Sequence, residues 1–100
     1  MLSEHKTADV REAVEPFLND VNESVRFHAA GTIFAMSDPA ALPPLLEALA
    51  QEESLRVKNR VARGIEQAGW TIPEALTQRF ETALPPGYTV RDGKLIGSAV

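Results

Sequence analysis

Residues 24–34, "SVRFHAAGTIF", place a charge where a helix should be apolar, and a counterpart 32 positions further along decides how to read them. Val25, Arg26, Ala29, Ala30 and Ile33 align at that shift with Val57, Lys58, Val61, Ala62 and Ile65. Asp20 aligns with Glu52 in the same way. The segments ahead of them match through "PFL" (16–18) and "PLL" (44–46) at a shift of 28. The four-residue difference is about one helical turn. Two copies of helix, turn and helix sharing small and apolar positions predict stacked helix pairs, the usual meaning of a period of this size.

Around this core, periodicity predicts five helices. Val10, Ala13, Val14, Phe17 and Leu18 recur at i, i+3, i+4, i+7 and i+8, one face of an amphipathic helix over 8–18 with Thr7 as N-cap. Asn22 caps a second helix that runs to about Met36. Asp38 and Pro39 open a third, in which Leu42, Leu45, Leu46 and Leu49 form one stripe. Pro43 and Pro44 lack amide protons, so they kink that helix or mark where its regular part begins. The fourth runs from about Leu55 to Ala68 and stops at Gly69. "TIPE" (71–74) reads as a capping-box start for the fifth, with Ala75, Leu76, Phe80 and Ala83 inside. Pro85, Pro86 and Gly87 then end helical structure, and "YTVRDGKLI" (88–96) predicts a small hairpin turning at Asp92 and Gly93.

"DPAALPPLLEAL" (38–49) and "DVNESVRFHAAGTI" (20–33) resemble HEAT repeats, of the short type also found in phycobilisome-lyase-like proteins. The features that carry the resemblance are the Asp-Pro start, a proline inside the first helix, an acidic turn residue and a Val-Arg opening of the second helix. The resemblance covers about two repeats, 8–36 and 38–68, and 71–84 is similar to the first helix of a third. It implies an all-α right-handed superhelix acting as a binding scaffold rather than a catalyst. A single domain over 1–100 is expected, with the last helix and the hairpin, 71–100, as its C-terminal cap. The resemblance also implies a charge ladder between repeats, Asp20 with Arg26 and then Glu52 with Lys58. The other reading of Arg26 is that it snorkels along its aliphatic stem, since an unpaired buried guanidinium would be very costly.

The composition admits little chemistry. One hundred residues make one modest core, and 44% apolar with 24% charged is ordinary for a globular chain. A net charge of −4 argues against a whole-protein nucleic-acid footprint. Without cysteine there is no disulfide framework and no thiolate nucleophile or ligand. No signal peptide or membrane-length apolar run occurs, so a cytoplasmic protein is the expectation. The two histidines, His5 and His28, have no metal-ligand spacing, and no Ser-His-acid set or glycine-rich phosphate loop is present. No catalytic, cofactor or metal residue is assigned.

What remains is a surface. Arg56, Arg60 and Arg63 fall at i, i+4 and i+7, opposite Val57, Val61 and Ile65. That stripe reads either as a site for an acidic peptide or phosphate backbone, or as a solvated face balanced by Glu52, Glu53 and Glu66. His28, the counterpart of Arg60, reads as a partner contact or as solvated. Trp70 is expected to pack under the fifth helix, with a surface hot spot as the sharper reading.

The leading expectation is a non-catalytic protein-interaction scaffold or adaptor that uses the concave face of helices two and four, with His28, Arg56, Arg60 and Arg63. The alternative is an accessory subunit, or a C-terminal piece of a larger assembly, anchored through its hairpin tail. An enzyme would require a pocket of convergent polar groups, which the sequence does not offer.

Overall fold

The structure, a computed structural model, describes residues 9–97. Helix α1 occupies 9–14 and tightens into a 3-10 turn over Glu15–Asn19, with Pro16 in its first turn. Helix α2, Glu23–Met36, starts where the Asn22 side chain accepts the amides of Ser24 and Val25, and it ends at a left-handed Ser37. Asp38 does not cap an α-helix directly. It caps a 3-10 turn, Pro39–Ala41, and helix α3, Leu42–Gln51, follows. Pro43 and Pro44 therefore sit in the first turn, where an amide has no intrahelical partner to lose. Helix α4, Leu55–Ala68, runs from a Ser54 cap to a left-handed Gly69.

The fifth helix departs from expectation. α5 spans Glu74–Phe80, and its N-cap position, Pro73, makes no side-chain cap. No capping box forms on Thr71: the α-helix begins at Glu74, behind Pro73, and the chain ahead of it lies along the hairpin, the Ile72 amide donating to the Gly93 carbonyl at 2.6 Å. Ala75 is exposed rather than inside, while Leu76, Phe80 and Ala83 pack on the core. The predicted N-cap Thr7 and the residue His5 lie outside the described residues.

Strands β1, Tyr88–Arg91, and β2, Lys94–Gly97, pair antiparallel with Val90 opposite Leu95. Asp92 and Gly93 both have positive φ, 53° and 78°, as a two-residue turn of the type I′ class requires. Such a hairpin is marginal alone. Here it lies on α4: Leu95 is buried, the Gly97 amide donates to the Glu66 carboxylate at 2.8 Å, and the Lys94 ammonium donates to the Gly69 carbonyl.

The helices form two layers, α2 against α4, and α3 against α5 and the turn after α1. Leu45, Leu46 and Leu49 from one layer meet Ala30, Ile33, Val61 and Ile65 from the other in one core. Among the described residues no helix is long and apolar enough to cross a membrane.

Candidate interaction face

Two glycines determine how α2 meets α4. A Cβ on Gly64 would stand 2.2 Å from the Phe34 ring, so α4 receives Phe34 only because position 64 has no side chain. In the other direction, a Cβ on Gly31 would stand 3.2 Å from Nη2 of Arg60, so the Arg60 guanidinium lies over bare helix backbone. Each helix therefore has a seat for a large residue of the other. This local need overrides the helix cost of glycine, about 0.5–1 kcal/mol relative to alanine.

The arginines rest on the aromatic rings so placed. The Arg56 guanidinium carbon is 4.0 Å from the centroid of Phe27, and its Nη1 donates to Glu23 at 2.8 Å. Arg60 lies 5.5 Å from the Phe34 ring and 6.0 Å from Phe27. These separations are within cation–π range, worth about 0.5–1 kcal/mol each at an exposed site. Glu23 also accepts from the Ser54 hydroxyl. That hydrogen bond first, then Arg56, holds its carboxyl below the ordinary carboxylate range. Arg63 is exposed one turn further on, and among the described residues no carboxylate pairs with Arg60 or Arg63. Trp70 stacks on Phe34, with ring centroids 5.7 Å apart, so its ring partner is in α2 rather than α5.

His28 is exposed and meets Phe27 edge-on at 5.9 Å. It lines an open groove with Val14 and Phe17, apart from the arginines. The structure thus brings Arg56 and Arg60 together, leaves Arg63 one turn along α4, and sets His28 at the edge of the Phe27 ring they share, lining a groove that holds no arginine among the described residues.

The charge ladder is built differently from the expected one. Arg26 grips both oxygens of Glu52, Nε at 2.8 Å and Nη2 at 3.0 Å, which pushes its guanidinium pKa further up. Its Nη1 donates to the backbone carbonyls of Asp20 and Val21. The Asp20 carboxylate is not its partner. That short side chain folds back onto the Asn22 amide at 2.8 Å, whereas the longer Glu52 reaches across to Arg26 while also accepting the Ser54 amide. With Glu52 so occupied, Lys58 has no ion pair among the described residues.

A profile of HEAT repeats matches residues 1–66. The chain belongs to the HEAT-repeat family. No curated protein and no solved structure matches it.

Within this HEAT pair, Arg26 with Glu52 is a contact between the first helix pair and the turn of the second. Gly31, Gly64 and the Phe27–Phe34 shelf escaped the repeat comparison. At a shift of 32, Gly31 faces Arg63 and Gly64 faces Thr32, so neither glycine repeats. The available signal was a glycine inside each of two long helices. Among the described residues no three His, Asp or Glu are grouped to hold a metal.

Proposed function

We propose that this HEAT chain is a non-catalytic protein-interaction module that receives its partner on the outer face of the α2–α4 layer. HEAT repeats generally mediate protein–protein interaction, which sets the class. The observation that carries the choice of face is the seating of Arg60. Its guanidinium is held by Gly31, Phe27 and Phe34, with no carboxylate to neutralise it among the described residues. A cation already ordered costs less conformational entropy when it binds. With Arg63 beside it, this favours an acidic protein segment as the occupant. Nucleic acid is less well served, because the rings stack on the arginines and the chain carries a net −4.

The burial of Leu95 and the hydrogen bond from Gly97 to Glu66 support the hairpin as a cap on α4 rather than an anchor to another subunit. The test is partner recovery with Arg60→Met, which keeps the apolar stem, combined with Arg63→Glu. The proposal expects recovery to fall at least tenfold with the melting temperature close to that of the parent, and to weaken with added salt. Unchanged recovery from a folded variant overturns it.

A further inference from the structure

Toward α4, helix α2 presents Glu23, Phe27, Gly31 and Phe34 in turn, each three or four residues from the last and so along one stripe. The two seated arginines of α4 meet different parts of this row. Arg60 has Phe27, Gly31 and Phe34, none of them charged. Arg56 has Phe27 and the one carboxylate of the row, Glu23. One end of the arginine face therefore already carries an acid from its own chain.

The hold of Glu23 on Arg56 is slight. Nη1 alone donates, to Oε1 alone, at 2.8 Å, and the two side chains are 51% (Arg56) and 41% (Glu23) exposed. The ion pair that joins the repeats differs on both counts. Arg26 grips Glu52 through two nitrogens, and those side chains are 18% and 3% exposed. An exposed, singly bonded pair is worth little in water. Nor does either member need the contact to stay in place. Arg56 lies on the Phe27 ring, 4.0 Å from guanidinium carbon to centroid, and Glu23 accepts the Ser54 hydroxyl with its other oxygen, Oε2. Arg56 can change acids without leaving its seat.

We infer that Glu23 is a built-in competitor for the acidic segment of a partner protein, holding Arg56 until a carboxylate of that segment takes its place. This rests on the reading that the α2–α4 face receives an acidic segment. A lone carboxylate gains little at Arg56, because it replaces one exposed pair with another. A run of acids engages Arg60 and Arg63 as well, and Arg56 then joins the bound site. Glu23 thereby favours a stretch of acids over an isolated one.

The test titrates a fluorescent octaglutamate peptide into the full chain at low ionic strength, where such contacts are least screened, with octaglutamine as the uncharged control. Glu23→Gln is expected to raise the affinity about two- to fivefold, the range that an exposed ion pair commands. Glu53→Gln removes the same charge three residues ahead of Arg56, from an exposed side chain in no ion pair among the described residues. Its gain is expected to stay below about twofold, the effect of unpaired charge alone. In a chain carrying Arg56→Met, which keeps an apolar stem on Phe27, Glu23→Gln is expected to bring no gain. Binding unchanged by Glu23→Gln, an equal gain from Glu53→Gln, or a gain that survives Arg56→Met overturns this inference and leaves the face standing. If the parent binds octaglutamate no better than octaglutamine, or Arg60→Met with Arg63→Glu leaves that binding unchanged, the face itself is wrong and the inference falls with it.

Discussion

Gly31 and Gly64 sit at comparable places in two helices, yet alanine at each is expected to act in opposite directions. A Cβ at position 64 meets the Phe34 ring, which is wedged between helices, so Gly64→Ala is expected to cost about 1–3 kcal/mol by overpacking. At position 31 the obstacle is the far end of a flexible arginine. Gly31→Ala is therefore expected to be neutral or to stabilise by up to about 1 kcal/mol, the helix preference of alanine over glycine. Urea denaturation of both variants checks the pair. The ladder is tested at the same scale by double-mutant cycles. Arg26 and Glu52 should couple well beyond the scatter of independent sites, while Arg26 and the Asp20 side chain should not, because Arg26 takes only the Asp20 backbone carbonyl. Aligning the two repeats pointed to Arg26 and Glu52 but paired them with the Asp20 carboxylate and Lys58, which form no ion pair among the described residues. It did not reveal which carboxylate has the length to cross, since that depends on where each turn folds its own acid back.

The helices were legible where caps and periodicity agree, as in α2 between Asn22 and Ser37 and in α4 between Ser54 and Gly69. They were misread where the chain entering a helix follows another element. Residues 71–73 run alongside the hairpin, with the Ile72 amide on the Gly93 carbonyl, and the helix starts at Glu74, so "TIPE" does not form the capping box that its residues allow. The hairpin was legible because Asp-Gly supplies two positive φ values, but its seat on α4 was not, since nothing local points from Leu95 to Glu66. Leu95→Ala is expected to cost about 2–4 kcal/mol if the hairpin is part of the core, measured by thermal unfolding. Gly93→Ala is also expected to destabilise. Position 93 has φ of 78°, and an added Cβ would stand 2.9 Å from the Thr71 side chain.

For the whole molecule, acid acts through the residues that join the two helix pairs. The Glu23 carboxyl is held below its ordinary range by Ser54 and Arg56. Its contribution to stability is thus full above the ordinary carboxylate range and is lost as pH falls through the lowered folded value. Glu23→Gln is expected to lower the melting temperature slightly at neutral pH and to flatten its fall in acid, which a pH series of thermal melts reads directly. The family was legible from the repeat itself. The proposed interaction face was legible only as three arginines on one stripe, because the rings that hold Arg56 and Arg60 come from the neighbouring helix. The claim that matters most is that this face receives a protein partner. A photo-crosslinking amino acid placed in turn at Arg63 and Asn59 on that face, and at Ala50 and Gln78 on the α3–α5 layer, tests it directly. The account predicts one and the same protein captured from positions 63 and 59 and absent from 50 and 78. Equal capture from both layers, or capture from α3 and α5 alone, would contradict it.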